Sequence, residues 1–217
     1  VGIGTASWSV AIVVRDQPFA ALFNLPRRLF RRRRLGCIGG EGEQGDYFFL
    51  PGRLHPWKRV DLVIQAFRRV RAPVRLVIAG VGEAEAALRA LADGDERIEF
   101  VGRVDDERLM ALYSGALAVP FAPKREDYGY VTLEAFASGK PVITCTDAGE
   151  AAAIVGSSGG GLVVAPTAEA LAEAMESIAA RSGEVAAMGQ AGQHWVRSLS
   201  WQRIAGRLVE SAMGEAA

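Results

Sequence analysis

Two glutamates eight positions apart, Glu126 and Glu134, lie on either side of a turn that contains glycine and aromatic residues. Residues 120–144 around them have the pattern of a loop, a helix start, a short helix and a strand start. Backbone N–H groups at a helix N-terminus can bind an anion, and carboxylates accept hydrogen bonds from hydroxyl groups. This combination indicates a site for a ligand with phosphate and hydroxyl groups. A solvated loop glutamate and an ordinary helical glutamate are the alternative.

A second group of candidate residues lies in the segment GRLHPWK, where Arg53 and Lys58 follow an apolar run and precede a helix. A guanidinium, an ammonium and unpaired backbone N–H groups together suit a diphosphate. Arg and Lys are mostly exposed in proteins. From this segment alone, solvated surface charges therefore remain the favoured alternative.

Two other motifs have weaker functional interpretations. The turn Gly80–Gly82 resembles the start of a dinucleotide-binding fingerprint, but the third glycine of that fingerprint is replaced by Glu85. Glu83 and Glu85 would also repel a pyrophosphate, which disfavours an NAD-dependent enzyme. The segment 93–95 (Asp-Gly-Asp) precedes a predicted strand, so we interpret it as a surface turn and not as a metal site.

Alternating strands and helices must position these candidates. Short, almost continuous apolar runs predict strands at 47–50, 74–79, 98–101, 116–121, 141–145 and 161–164. Helices are predicted at 60–70, 83–91, 105–113, 131–138 and 167–179. This alternation is typical of an α/β fold with a doubly wound, mostly parallel, Rossmann-like sheet. Ligands bind at the carboxyl ends of such strands, where the candidate loops lie.

Several residues mark where the helices begin and end. Asp105 and Thr167 are predicted N-caps, and Gly139 is a predicted left-handed C-cap that is followed by proline. Residues 185–213 have the pattern of two further helices, the second of which begins near Ser200.

Composition excludes some classes of function. Lys and Arg together number 25, as do Asp and Glu, so the charge gives no reason to expect a nucleic-acid partner. No apolar run approaches the ~18 residues of a membrane span. The two histidines argue against a His-rich metal site, and the two cysteines, Cys37 and Cys145, form no metal or redox pattern. These cysteines suit a reducing cytosol.

The first 46 residues differ from the rest of the chain. A strand is predicted at Ser9–Val14, and a glycine-rich linker at 36–45 leads to a domain boundary near Asp46. Residues 47–217 then form the main domain. Because the sequence begins with Val1 and not Met, we expect it to be a fragment or a processed product.

Four segments together resemble a known family: GRLHPWKRVDLVIQAF, RLVIAGVGE, IEFVGRVDDERLMALYSGA and EDYGYVTLEAFASGKPVIT. In their order and spacing they are similar to the C-terminal, nucleotide-sugar-binding domain of glycosyltransferase family 4. The resemblance runs from about Tyr47 to Ala180 and extends more loosely to Trp201. It implies the C-terminal half of a GT-B fold, in which two Rossmann-like domains face a cleft.

The resemblance also implies roles for the candidate residues. Glu126 and Glu134 match the family's Glu-x7-Glu signature, so Glu126 would contact the donor sugar and Glu134 the ribose hydroxyls. Arg53 and Lys58 would stabilise the leaving diphosphate, where charge develops as the glycosidic bond breaks. Catalytic roles therefore fall to Glu126, Arg53 and Lys58.

Further donor-binding residues are implied on three loops. Backbone N–H groups of the first helical turn after the aromatic loop would bind phosphate, and the loop after the third strand would lie against the base. These residues are Gly52, Arg103, Val104, Tyr128, Gly129, Tyr130 and Val131. The family often has a Gly-Gly pair where this sequence has residues 146–150, TDAGE.

The resemblance implies an enzyme that transfers a sugar from a nucleotide-diphosphate sugar, with retention and without a metal. The acceptor would be a saccharide, a lipid or a small molecule, and no nucleic acid is expected. The enzyme would be bacterial and cytoplasmic. In a full-length enzyme, the basic block Arg27–Arg34 could make peripheral contact with the inner membrane face. A solvated linker is the favoured interpretation of that block.

Residues 1–46 resemble only a remnant of the N-terminal acceptor domain and its linker. We therefore expect little or no transfer by this chain without the rest of that domain. A non-catalytic nucleotide-sugar-binding or interaction module that keeps the fold is the alternative.

Overall fold

A computed structural model describes residues 45–199. Within them, the strands are β1 (Tyr47–Pro51), β2 (Arg75–Ala79), β3 (Ile98–Gly102), β4 (Val119–Pro120), β5 (Val142–Cys145) and β6 (Gly161–Val164). The α-helices are α1 (Val60–Phe67), α2 (Glu85–Ala92), α3 (Asp106–Gly115), α4 (Tyr130–Ala137), α5 (Glu150–Ser158), α6 (Ala168–Ala180) and α7 (Ser182–Ser198). A 3-10 helix at Pro56–Lys58 precedes α1.

All strand pairs are parallel, in the orders β1-β2-β3 and β4-β5-β6. Two backbone hydrogen bonds join these halves: Leu117 N–H donates to Tyr47 O at 2.8 Å, and Phe49 N–H donates to Ala118 O at 3.1 Å. The order across the whole sheet is therefore β3-β2-β1-β4-β5-β6. The chain builds outward from β1 in one direction and from β4 in the other.

Helices cover both faces of the sheet. Phe48, Leu76 and Ile143 point to the first face, where they pack with α1, α2 and α6. The next residue on β1 and on β2, Phe49 and Val77, points to the second face with α3, α4 and α5. Because both faces are buried, the strands have almost continuous apolar sequences. The predicted α/β fold with a doubly wound parallel sheet and a following C-terminal helix is confirmed.

Three local predictions need correction. The strand predicted at 116–121 is only Val119–Pro120, although Leu117 N–H and Phe121 N–H also donate to β1 and β5. The helix predicted from Glu83 begins at Glu85, because its first helical hydrogen bond runs from Leu88 N–H to Ala84 O. Helix α5 was not predicted, although Ala151, Ile154 and Val155 have its apolar spacing.

The predicted N-caps are confirmed. Asp105 accepts a hydrogen bond from Arg108 N–H, and Thr167 accepts one from Ala170 N–H. Gly139 has φ 68°, as predicted for a left-handed C-cap. The predicted strand at Ser9–Val14, the predicted linker at 36–45 except for Gly45, and the helix beginning near Ser200 lie outside the described residues.

Close contact between neighbouring loops explains the glycines at Gly80–Gly82. A Cβ atom on Gly80 would lie 1.8 Å from Gly52 O, and one on Gly82 would lie 2.2 Å from Leu54 O. These glycines allow the loops after β1 and β2 to pack backbone against backbone. Their pattern therefore reflects loop packing and not a dinucleotide fingerprint.

Gly149 has a similar role between the loop after β4 and the loop after β5. Its φ of 67° and ψ of −132° are accessible almost only to glycine. Glu126 N–H donates to Ala148 O at 3.0 Å, and Glu150 N–H donates to Glu126 O at 2.9 Å. The backbone of Glu126 is thus fixed by the segment that contains Gly149.

We predict that Gly149→Ala lowers the free energy of unfolding by about 1–3 kcal/mol, because of its backbone strain and because the added Cβ would lie 2.6 Å from Glu126 O. Urea unfolding measures this difference. Gly156→Ala in α5 is the matched control: its Cβ meets nothing within 4 Å, and alanine favours a helix by about 0.5–1 kcal/mol. Equal stability of the two variants would contradict the loop contact.

Candidate functional site

The sheet order creates a crevice between β1 and β4. These strands are neighbours, but α1 follows β1 on the first face of the sheet and α4 follows β4 on the second face. The loops after the two strands therefore separate at the carboxyl edge. This is the position at which doubly wound sheets bind ligands.

A cavity of about 790 Å³ opens at this edge. It is lined by residues from the loops after β1, β2 and β3 and from the first turns of α4. Among the predicted site residues, those that line it are Gly52, Arg53, Arg103, Val104, Val131 and Glu134. The cavity walls do not include the other five, which are Lys58, Glu126, Tyr128, Gly129 and Tyr130.

Lys58 and Glu126, two of the predicted catalytic residues, are in direct contact. Lys58 Nζ donates to Glu126 Oε2 at 2.5 Å, although the residues are 68 positions apart. Their side chains are 32% and 17% exposed, so the pair is shielded from solvent more than an ordinary surface pair. The ammonium also lies 5.6 Å from the centre of the Phe121 ring. The structure thus brings the predicted sugar contact and a predicted diphosphate contact together.

Arg53 lies on the wall of the cavity but pairs with a carboxylate that the sequence did not associate with it. Its Nη2 is 3.4 Å from Glu83 Oε2, and the other oxygen of Glu83 is 3.0 Å from His55 Nε2. A backbone hydrogen bond, followed by the charges of His55 and Arg53, lowers the pKa of Glu83. Glu83 therefore competes with any anion that Arg53 could bind.

The N-terminus of α4 lies between the two glutamates. Gly129 precedes it with φ 62°, and a Cβ there would lie 3.3 Å from Ala151 Cα. The rings of Tyr128 and Tyr130 stack at 5.6 Å with an angle of 12° between them. Tyr128 is 62% exposed, so one aromatic surface faces solvent beside the helix start.

Glu134 has a partner that was not predicted. The Tyr113 hydroxyl donates to Glu134 Oε2 at 2.7 Å. Burial raises the pKa of Glu134, and this hydrogen bond partly opposes that effect. Burial, together with the Glu134 charge, raises the pKa of Tyr113 well above its ordinary value, so Tyr113 remains a hydrogen-bond donor.

Arg59 connects the elements that hold Lys58 and Glu126, and it was also not predicted. Its guanidinium binds both oxygens of Asp147, at 2.8 and 2.6 Å. It further donates to Ala122 O and to Pro123 O, at 2.7 and 2.8 Å. One side chain therefore joins the loops after β1, β4 and β5.

Asp147 belongs to the segment 146–150 that departs from the family pattern. The hydrogen bonds from Arg59 are the main cause of its lowered pKa. Because its pKa is lowered, the Asp147 carboxylate stabilises the fold fully at a pH above its ordinary pKa of 3.8. This stabilisation is lost as the pH falls through the lowered pKa. Asp147 is thus ionised at neutral pH and serves as an anchor for the site loops.

The other features noted in the sequence lie away from the crevice. Both oxygens of Asp95 accept hydrogen bonds from Arg97, at 2.9 and 2.8 Å, in the turn before β3. Within residues 45–199, no cluster of three His, Cys, Asp or Glu side chains is arranged to hold a metal ion. In the same range, no helix has the length and apolar character needed to cross a membrane.

Comparison with known proteins matches this chain to one family. A family model described as "Glycosyl transferases group 1" matches residues 38–195. A mannosyltransferase of Corynebacterium glutamicum, described as GDP-mannose-dependent and acting on monoacylated alpha-(1-6)-phosphatidylinositol monomannoside, is 32% identical over 178 residues. That match covers 75% of this chain and 46% of the mannosyltransferase.

Solved structures have the same fold. Anabaena HepE, crystallised with UDP and glucose, has a TM-score of 0.67 and 21% identity, over 84% of this chain and 51% of HepE. The C-terminal domain of LpcC, a glycosyl transferase group 1 family protein from Francisella tularensis, has a TM-score of 0.65 and 21% identity. That match covers 73% of this chain and 93% of the LpcC domain. This chain spans less than half the length of the curated relatives it matches.

We predict that Arg59→Lys lowers the free energy of unfolding by about 1–3 kcal/mol, since an ammonium cannot reproduce the bidentate contact and the two carbonyl bonds. Urea unfolding at neutral pH measures this loss. Arg69→Lys is the matched control, because Arg69 pairs with Glu169 on the open surface at 2.7 Å and should change stability by about 0.5 kcal/mol or less. Similar losses for both variants would contradict the anchoring role of Arg59.

Proposed function

This chain belongs to the glycosyl transferases group 1 family, and on that premise we propose that its crevice is the donor site of a retaining glycosyltransferase. The donor is a nucleotide-diphosphate sugar. The contact between Lys58 Nζ and Glu126 Oε2 is the observation that carries this proposal. It supports the proposal because the cation that we assign to the diphosphate lies next to the carboxylate that we assign to the sugar.

Lys58 acts on the leaving group in this proposal. Negative charge develops on the diphosphate as the bond to the anomeric carbon breaks, and a fixed ammonium lowers the energy of that state. Arg53 supplies a second cation from the cavity wall. The N–H groups of Gly129, Tyr130 and Val131 at the start of α4 add partial positive charge. Together these groups stabilise the negative charge on the diphosphate. We therefore propose that the reaction requires no metal ion.

Glu126 binds hydroxyl groups of the donor sugar in this proposal. Its backbone is fixed on both sides by the segment after β5, so the carboxylate has a defined position with respect to Lys58. Tyr128, which is exposed beside it, contributes an aromatic surface at the same end of the site. Retention of the anomeric configuration is the stereochemical outcome that we propose.

The nucleoside occupies the cavity in this proposal. Arg103 and Val104, on the loop after β3, lie against the base, and Glu134 accepts hydrogen bonds from the ribose. Gly52 also lines the cavity and leaves space there, since a Cβ at this position would meet nothing within 4 Å. A cavity of about 790 Å³ is within the usual range for ligand sites.

We propose that residues 47–217 are the donor-binding domain and that the acceptor site requires an N-terminal domain. The match to the C-terminal domain of LpcC supports this division. The acceptor is a saccharide, a lipid or a small molecule; the Corynebacterium relative is described as acting on a phosphatidylinositol mannoside, which is compatible with a lipid. A cytoplasmic bacterial enzyme with peripheral contact at the inner membrane face fits this proposal. On this proposal, the present chain transfers sugar weakly or not at all.

We predict that the protein binds at least one of UDP, GDP and ADP in isothermal titration calorimetry. Arg53→Gln with Lys58→Gln should weaken that binding by about 100-fold or more, because each charge-assisted hydrogen bond contributes about 1.5–3 kcal/mol. Binding should persist in the presence of EDTA if no metal is required.

The matched control for this double variant is Arg69→Gln with Arg181→Gln. Both arginines pair with exposed glutamates, at 2.7 and 3.1 Å, and neither arginine lines the cavity. The control should retain full affinity. A folded protein that binds none of the three nucleotides would overturn the donor-site proposal.

A second prediction concerns Glu83, which pairs with Arg53 in the absence of ligand. Glu83→Gln should increase nucleoside diphosphate affinity by about 5-fold at most, since exposed ion pairs contribute little. Calorimetry measures this gain. Glu85→Gln is the control, because Glu85 pairs with Arg89 within α2; an equal gain there would point to a general charge effect.

A binding module without turnover is the alternative for this fold. Radiolabelled sugar transfer by a longer chain that includes an N-terminal domain distinguishes the two. Transfer by that chain supports the enzyme, whereas tight nucleotide-sugar binding without transfer or hydrolysis supports the module.

A further inference from the structure

We propose that Tyr113 is a positioning residue that makes the donor site select ribose over nucleosides without ribose hydroxyls. This inference rests on the proposed function, because it assigns the ribose to Glu134. Tyr113 does not line the cavity. It acts through the Glu134 carboxylate, to which its hydroxyl donates at 2.7 Å.

The position of the Tyr113 hydroxyl is fixed by packing. Tyr113 lies near the end of α3 and is 3% exposed. Its ring packs edge to face against Phe49 of β1, with 5.0 Å between centroids and an angle of 86°. Because β1 is a central strand, the hydroxyl has a rigid support, and a rigid donor can hold a carboxylate in one orientation.

Because of this hydrogen bond, the two carboxylate oxygens of Glu134 have different partners. Oε2 of Glu134 receives the Tyr113 hydroxyl, which fixes the plane of the carboxylate. Glu134 itself lines the cavity, so its other oxygen is the one we assign to the ligand. A carboxylate held in this way is preorganised, so it can accept hydrogen bonds from the ribose hydroxyl groups with little loss of side-chain entropy.

Selectivity follows from what happens when the ribose hydroxyls are missing. When a bound ligand excludes water from the Glu134 carboxylate but offers it no hydroxyl group, the carboxylate is left without a hydrogen-bond partner, which costs free energy. A site built to bind a hydroxyl therefore rejects the analogue that lacks it more strongly than an apolar site does. If Tyr113 no longer held the carboxylate, Glu134 could turn away, and part of this discrimination would be lost.

The test compares the affinity of a ribonucleoside diphosphate with that of its 2′,3′-dideoxy analogue, using the base that binds best among UDP, GDP and ADP. In isothermal titration calorimetry, the unaltered protein should prefer the ribonucleotide by about 10-fold or more. Tyr113→Phe, which keeps the ring packed on Phe49, should reduce this preference by about 3- to 10-fold. The affinity for the dideoxy analogue should not fall, because that analogue makes no ribose contact with Glu134.

Tyr47→Phe is the matched control. Tyr47 also uses its phenol to bind α3, donating to Leu112 O at 2.9 Å, but it does not contact Glu134. This variant should lose stability without any change in the preference for ribose. Urea unfolding of both tyrosine variants shows whether a change in binding merely follows a loss of folding.

Equal loss of affinity for both nucleotides in Tyr113→Phe would show a structural role only and would overturn the inference, as would an unchanged preference. If Tyr113→Phe does not fold, Glu134→Gln decides: it should also reduce the preference, and its failure to do so overturns the inference. Absence of binding of every nucleoside diphosphate to the unaltered protein would instead overturn the proposed donor site itself.

Discussion

The two hydrogen bonds between β1 and the segment before β4 determine the rest of this structure. They join two three-stranded sheets into one and make β1 and β4 neighbours, although 67 residues separate Pro51 from Val119 in the chain. Because the helices after these strands cover opposite faces, the loops must separate above the shared edge. The crevice is thus a consequence of strand order, and each side of it carries part of the site.

Charge balance is the second constraint on the site. Each cation that we assign to the diphosphate already has a carboxylate partner: Lys58 has Glu126, and Arg53 has Glu83. A partly buried cation without a partner would cost free energy. On our account, a diphosphate replaces Glu83 at Arg53 and approaches Lys58 while Glu126 turns to the sugar. These ion pairs therefore allow several charged side chains to lie close together in the folded protein before any donor is bound.

Much of this arrangement was predictable from local sequence patterns. The fold was predictable from the continuous apolar strands, the apolar spacing in α1 and the capping residues Asp105 and Thr167. Half of the candidate site was predictable from the two glutamates in residues 120–144. Arg59 and Tyr113 were not found, because each acts through a partner distant in sequence. Asp147 lies 88 positions from Arg59, and Glu134 lies 21 positions from Tyr113. Their roles depend on side-chain contacts that only the packed sheet creates.

If the crevice is a donor site, a nucleoside diphosphate must bind at the carboxyl edge between β1 and β4. Backbone-amide NMR with a titrated nucleoside diphosphate tests it most directly. Our account predicts that the largest chemical-shift changes occur at Gly52, Gly102 and Gly129–Val131, with little change at Gly94 or Gly139 on the opposite edge. Largest changes at the opposite edge, or changes spread evenly over the sheet, would contradict it.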